Sequence, residues 1–149
     1  MSFFDSIDIA ASGLTAERVR MDVTSENLAN AQTTDGPGGQ PYRRQDVVLQ
    51  QVGGGFGSTL AGAMGVSAPG GSAPGGVTVA GIVNDPTPDQ LVYDPGHPGA
   101  NAQGYVRMPN VNSVTEMTDL ISESDSYQAD VTAMETAKTM YTKTLDLFK

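Results

Sequence analysis

The sequence has no cysteine and no tryptophan, a single histidine, and only 6% aromatic residues. Without cysteine there is no disulfide framework, no thiolate zinc site and no cysteine nucleophile. One imidazole, His97, leaves no material for a multi-histidine metal cage or a histidine relay. Basic residues are scarce: 8 Lys and Arg stand against 17 Asp and Glu, for a formal net charge of −9. Neutralising a phosphate backbone takes clustered Lys and Arg, and a membrane-surface patch takes a basic face. The charge therefore argues against nucleic acid and against an anionic bilayer as partners. No apolar run approaches the ~20 residues needed to span a membrane. With 149 residues the chain fits one ordinary domain or two small ones. The thin aromatic content and the missing nucleophile chemistry together point to a scaffold rather than an enzyme.

A secretory signal is also absent by pattern. Met1 to Ala10 holds no Lys or Arg, and Asp5 and Asp8 interrupt Phe3, Phe4, Ile7 and Ile9. A Sec-type signal needs a positive start and an unbroken apolar stretch. The expectation is a chain that stays in the cytoplasm or leaves by a route without signal cleavage.

Glycine and proline divide the chain in three. Of 18 glycines, 17 lie between Gly36 and Gly104, and all nine prolines lie between Pro37 and Pro109. Both residues interrupt helices, so helices belong at the two ends and strands and turns in the centre. The expected division is an N-terminal helix within 1–34, a Gly/Pro-rich β and loop region at 35–109, and a C-terminal helix within 110–149. The fold class is mainly α with a small β-rich middle: a discontinuous helical coiled-coil domain from the two ends, with an irregular insertion between them.

The first end, from about Phe4 to Ala31, repeats Ile7, Leu14, Met21 and Leu28 every seven residues. Polar or charged Glu17, Arg18, Thr24 and Ser25 weaken its second row, and only Gly13 interrupts it. The second end, from about Val111 to Phe148, repeats Leu120, Tyr127, Met134, Tyr141 and Phe148, with Met117, Val131 and Leu145 on a companion row. Ser113 and Glu116 have capping-box spacing. Acids at Glu116, Asp119 and Glu123 and bases at Lys138, Lys143 and Lys149 suit the helix dipole. At ~1.5 Å per residue the helices reach roughly 40 Å and 55 Å. Lengths of that order suit coiled coils, and the shorter seam cannot cover the longer one. An isolated pair would be marginal and would need further neighbours; the plainer reading is a helical hairpin packed on a small sheet.

The middle reads as short strands at Tyr42–Gln51, Val77–Val83, Leu91–Tyr93 and Tyr105–Met108. No Asp, Glu, Lys or Arg occurs from Val47 to Asn84. Within that stretch Gly53 to Gly76 is a Gly/Ala/Ser/Pro tract, either a plain surface loop or one that packs between copies. His97 sits in a Pro/Gly turn beside Asp94, where a rigid turn outweighs a metal site. Gly53-Gly54-Gly55-Phe56-Gly57 lacks the residues of a phosphate loop. Asn27 and Asn30 read as local helix termination, with a contact between subunits as the alternative.

Ser12-Gly13-Leu14-Thr15-Ala16 followed by Ser25-Glu26-Asn27-Leu28-Ala29-Asn30 and Thr33 resembles the N-terminal signature of bacterial flagellar axial proteins, the rod, hook and hook-associated family. Gly36-Pro37, Gln40-Pro41-Tyr42-Arg43, Leu91 to Pro98, Gly104-Tyr105-Val106, Met108-Pro109-Asn110-Val111-Asn112 and Ser126-Tyr127-Gln128-Ala129 narrow the resemblance to the proximal-rod branch. Gly53 to Gly76 is longer and more glycine-rich than that branch's pattern. The resemblance implies a non-enzymatic rod subunit of the flagellar basal body without cofactors. It implies export through the flagellar type III apparatus and assembly beyond the inner membrane into a helical tube that transmits torque. It implies terminal helices that line the export channel, and partners that are further copies, the other proximal-rod proteins, the rod-base adaptor and the distal rod. A secreted fibre or adhesin-like coiled-coil protein is the competing reading.

Overall fold

A computed structural model describes residues 3–36, 38–52, 64 and 75–146, with side chains from residue 5 onward. Helix α1 spans Phe3–Ala29, strand β1 Gln45–Val52, β2 Gly76–Asn84, β3 Gln90–Tyr93, β4 Tyr105–Met108 and helix α2 Ser113–Asp146. Two long terminal helices thus flank a small β middle, as the distribution of glycine and proline predicts. Phe148 and most of the Gly53–Gly76 tract lie outside the described residues.

The strands form two two-stranded sheets, β1 with β2 and β3 with β4. The second is an antiparallel hairpin in which Gln90 faces Met108 and Tyr93 faces Tyr105. The Tyr93 and Tyr105 rings meet edge to face with centroids 5.3 Å apart, an arrangement favoured by the ring quadrupoles. Gly104 enters β4 at φ +82°, and a Cβ there would lie 2.8 Å from the Tyr93 ring. Both facts require glycine at that corner.

The chain forms two compact units. The first joins residues 1–18, 49–80 and 125–149. There Ser12 Oγ donates to the Ile9 carbonyl and accepts from the Val77 N–H at 3.1 Å, tying α1 to the start of β2. Gly13 leaves room for Asp130, whose carboxylate oxygen would stand 2.9 Å from an added Cβ. The second unit joins residues 19–48 and 81–124. It contains buried Val23, Val106, Pro109 and Val111, but its largest fully buried side chains besides Pro109 are Glu116 and Asn27. Among the described residues, the buried apolar side chains of the whole chain are otherwise only Ala16. A core of alanine and valine buries little area, at about 25 cal/mol per Å². Polar contacts must therefore specify what apolar packing leaves loose.

Helix ends are built from asparagines. The Asn30 N–H and its carboxamide both donate to the Glu26 carbonyl at 3.0 Å. The Ala31 N–H then bonds the Leu28 carbonyl and the Thr33 N–H the Asn30 carbonyl, the tighter steps that close α1. At the other end Asn112 Oδ1 accepts the N–H groups of Val114 and Thr115. Asn112 is thus the N-cap of α2, and the expected Ser113–Glu116 capping box does not form. The cap lies one residue earlier, and the Glu116 carboxylate is drawn inward by Asn27 and Arg44.

Candidate assembly site

The predicted seam residues fall into two groups by exposure. Ile7, Leu14, Met21 and Leu28 on α1, and Leu120, Tyr127, Val131 and Met134 on α2, are half-buried. Met117 is 53% exposed, Leu145 50% and Tyr141 38%. The α2 row buried beside Leu120 is not the apolar companion row but the acidic one, with Glu116 1% and Glu123 4% exposed. On α1 the buried positions are Val23, Thr24 and Asn27 in the second unit and Ala16 in the first. Hydrophobic periodicity missed this face because its residues are small or polar. The available signal was the seven-residue recurrence of Glu116, Glu123 and Asp130 against Asn27, Arg20 and Gly13.

Asn27 anchors the second unit. Its Nδ2 donates to the Gln45 carbonyl at 2.8 Å and to Glu116 Oε2 at 3.1 Å. Its Oδ1 accepts the Gln45 N–H and the Tyr42 hydroxyl, both at 2.9 Å. All four hydrogen-bonding positions of the carboxamide are used, and two of them treat Gln45 as one strand treats another. Burial, followed by the charges of Glu26 and Glu116, pushes the Tyr42 phenol above its ordinary range, which keeps the hydroxyl a donor. The expectation of local helix termination thus holds for Asn30, whereas Asn27 reaches across the unit to Tyr42, Gln45 and Glu116.

Arg44 completes the anchor. Its Nε donates to Glu116 Oε1 and its Nη1 to Asp46. Asp119 stands 3.7 Å from its Nη2, and Asp85 stands 3.8 Å from the same Nη1 that meets Asp46. One guanidinium thereby serves four carboxylates. Burial would lower the Arg44 value, but the hydrogen bond and charge of Glu116, then Asp46, more than offset it. The Arg44 backbone is fixed as well: its N–H donates to Asn110 Oδ1 at 2.9 Å, and its carbonyl accepts from the Asp85 N–H at 2.8 Å. Asn110 Nδ2 in turn reaches the Thr87 carbonyl. Asn27 and Asn110 act as peptide surrogates on either side of one strand start. Seven residues before Asn27 on α1, Arg20 lies 3.5 Å from Glu123, which also accepts from the buried Thr24 hydroxyl.

The Thr87 hydroxyl and N–H hold Asp85 below the usual carboxylate range; burial opposes them, and Arg44 and Arg43 assist. A folded value below the unfolded one means the contribution is complete above about pH 4 and is lost as pH falls through the lowered value. Stability of the unaltered chain should therefore fall more steeply in acid than that of Asp85→Asn. Urea unfolding at neutral and acidic pH checks this: the difference between the two proteins should shrink toward zero in acid.

His97 Nδ1 accepts the Gly99 N–H at 3.0 Å, and Asp94 accepts the Gly96 N–H at 3.1 Å. Both are local turn bonds. Among the described residues no group of three His, Cys, Asp or Glu is placed to hold a metal ion, and no helix is long and apolar enough to cross a membrane.

The motif residues of the resemblance coincide with this anchor and the two helix ends: Asn27, Asn30, Thr33, Asn110 and Asn112 make the bonds described, and Pro109 and Val111 are buried beside them. Ser25, Ala29 and Leu28 sit on the last turns of α1, the first two exposed. Two family profiles match the chain: "Flagella basal body rod protein" over residues 7–37 and "Flagellar basal body rod FlgEFG protein C-terminal" over residues 102–147. The flagellar basal-body rod protein FlgC of Yersinia enterocolitica is 46% identical over 147 residues, covering 99% of this chain and 98% of that one. The FlgC of Bacillus subtilis is 48% identical over 153 residues, covering all of both chains. That of Borreliella burgdorferi is 39% identical over 154 residues, covering 100% and 99%. Full-length similarity of this extent, together with motif residues that build the fold, places the chain in the FlgC family of flagellar basal-body rod proteins, as a structural subunit of that rod.

Proposed function

We propose that the chain is a proximal-rod subunit that polymerises through its terminal helices into a helical tube, which transmits torque and encloses the export channel. Supporting this is the outer face of α2 in the second unit, where Val114, Met117 and Ile121 are 73%, 53% and 64% exposed. Their spacing puts three large apolar side chains on one helix face, uncovered within the chain. In the first unit Met140, Tyr141 and Leu145 are likewise exposed. There Thr132, Thr136, Thr139 and Thr144 each donate a hydroxyl to the carbonyl four residues back. Satisfied hydroxyls leave a helix surface free to meet a neighbour without unmet polar groups. A repeated head-to-tail contact whose rotation does not close yields a helical assembly.

Ile7, Leu14, Met21 and Leu28, with Leu120, Tyr127, Val131, Met134 and Phe148, are the remaining seam positions of this proposal. In the assembled rod the division is 1–34 and 110–149 for the helical layer and 35–109 for the outer insertion. Transit through the flagellar type III apparatus without a cleaved signal, a periplasmic position, and contacts with the other rod proteins and the rod-base adaptor belong to the same reading, which includes no catalysis. The competing fibre or adhesin reading has no comparable support, since the relatives are rod proteins throughout.

The double substitution Met117→Asp/Ile121→Asp tests the contact. The variant should keep its helical spectrum and be exported, yet be missing from purified basal bodies, with motility lost. Incorporation at the level of the unaltered chain would refute the role of this face.

A further inference from the structure

We infer that the outer face of the β3–β4 hairpin of one copy packs on the exposed face of α2 of a second copy, so that sheet and helix each supply the layer the other lacks. The inference rests on the reading of the chain as a polymerising rod subunit and names what covers Val114, Met117 and Ile121.

The register fixes the two sides of the hairpin. Successive side chains of a strand point to opposite sides, and Leu91 pairs with Arg107 and Tyr93 with Tyr105. Leu91, Tyr93, Tyr105 and Arg107 therefore share one side. The other side carries Val106, which is 2% exposed and seats the hairpin on its own unit. All four residues of β3 are exposed, Leu91 and Tyr93 to 64% each, and Tyr105 on β4 to 43%. The outer face thus adds little to folding, yet it is built rigidly. Asn101 Oδ1 accepts the N–H groups of Gln103 and Tyr105, both at 2.9 Å. The Asp94 N–H donates to the Gly104 carbonyl and the Asn101 N–H to the Tyr105 carbonyl, also at 2.9 Å. The two tyrosine rings brace each other edge to face. Aromatic side chains fixed before contact lose little freedom on docking, and such side chains serve as interface anchors.

The face of α2 is the complement. Val114 to Ile121 spans roughly 10 Å of helix. Leu91 to Tyr93 covers ~7 Å along the strand, and the hairpin is ~5 Å across, so with side chains the two footprints match. Thr118, on the same face, donates its hydroxyl to the Val114 carbonyl, and none of these α2 positions carries a charge. An apolar helix stripe and an apolar sheet face are stable when layered together. Here both are exposed in one and the same unit, so the layer is completed by another copy. Hairpin on hairpin about a twofold axis would close after two copies, whereas hairpin on α2 leaves one free face of each kind and continues. Covering these six side chains removes roughly 600–700 Å² from water, short of the ~1,200 Å² of a stable pair. Two copies in dilute solution therefore separate, and the contact holds where each copy has several neighbours.

The absence of cysteine from the chain allows a direct test. Full-length copies carrying Leu91→Cys and copies carrying Met117→Cys are produced together in cells that lack the unaltered chain, and purified basal bodies are treated with a short bismaleimide. The mixed rods should give a cross-linked dimer at about tenfold the level of either variant alone, or of Leu91→Cys with Ser25→Cys on the exposed side of α1. Dilute monomers should give none. Leu91→Glu, which faces Arg107 across the hairpin, should keep the urea midpoint and cut incorporation about tenfold. If Leu91→Glu lowers the midpoint, the cross-link decides alone. Absence of the mixed dimer from rods that contain both cysteine variants would overturn the inference, as would normal incorporation of Leu91→Glu. If Met117→Asp/Ile121→Asp is still excluded from those rods, the role of the α2 face stands and something other than this hairpin covers it. Normal incorporation of both would overturn the inference together with the reading on which it rests.

Discussion

Arg44→Ala is expected to lower the stability of the folded chain by about 3–5 kcal/mol, the loss typical of removing one partner from a buried ion pair. Glu116 is 1% exposed, and its carboxylate has two side-chain partners, Arg44 and Asn27. With the guanidinium gone, the carboxylate, 1% exposed in the intact chain, keeps one neutral amide donor. The size of the loss comes from stranding that charge, not from the intrinsic strength of the pair. Arg44→Ala/Glu116→Leu should therefore recover most of it, an outcome that simple loss of contacts does not produce. Equilibrium urea unfolding of the three proteins decides between the two accounts. A loss below ~1 kcal/mol for Arg44→Ala, the value of an exposed pair, would mean that water solvates Glu116 in the folded chain. By contrast Arg43, 49% exposed and 3.9 Å from Asp89, should contribute almost nothing on replacement.

The second large effect separates seam positions that serve the chain from those that serve the assembly. Leu28→Asp and Met134→Asp each place a charge at a half-buried site. Both should reduce the stability of the subunit before assembly, since burying an unpaired carboxylate is costly, and both should abolish incorporation into the rod. Met117→Asp/Ile121→Asp should abolish incorporation with the subunit's urea midpoint unchanged, because those side chains already face water. Measuring unfolding midpoints alongside basal-body incorporation distinguishes the two groups. A normal midpoint for Met134→Asp would move that residue to the assembly-facing set. Normal incorporation of Leu28→Asp would remove it from the seam altogether.

Much of the fold is legible in the order of breakers. Glycine and proline are confined to the middle, so the two ends have little choice but helix. The strand at Tyr105–Met108 lies where the sequence puts a short strand, and β1 begins at Gln45 rather than Tyr42 because Tyr42 and Arg44 are committed to Asn27, Thr33 and Asn110. The helix face buried within the chain is not legible by the same means. Counting apolar residues finds Met117 and Leu145, which are half exposed, and passes over Glu116 and Glu123, which are inside. Nothing in the hydropathy of a glutamate says that an arginine far away in sequence will meet it. The asparagines are intermediate cases. Asn30 behaves as its position at a helix end predicts, whereas Asn27, three residues earlier, takes all its partners from distant segments and strand edges. Family resemblance reaches Asn27 and Asn110 where periodicity does not, but Arg44 and Glu116 lie outside its motif segments.

The subunit is uneven: its helices are held where their side chains pack within the chain, whereas the last turns of α2 are exposed and, in the proposed rod contacts, take their order from neighbours. From Lys138 to Asp146 every residue of α2 is exposed, whereas Glu116 and Glu123 are buried. Amide hydrogen exchange on the dilute monomer and on purified basal bodies measures the contrast directly. The account predicts slow exchange around Glu116 to Glu123 and around Arg20 to Asn27 in the monomer, near-unfolded rates from Lys138 to Asp146, and protection of that segment in the assembled rod. Equal, strong protection along the whole of α2 in the dilute monomer would contradict it.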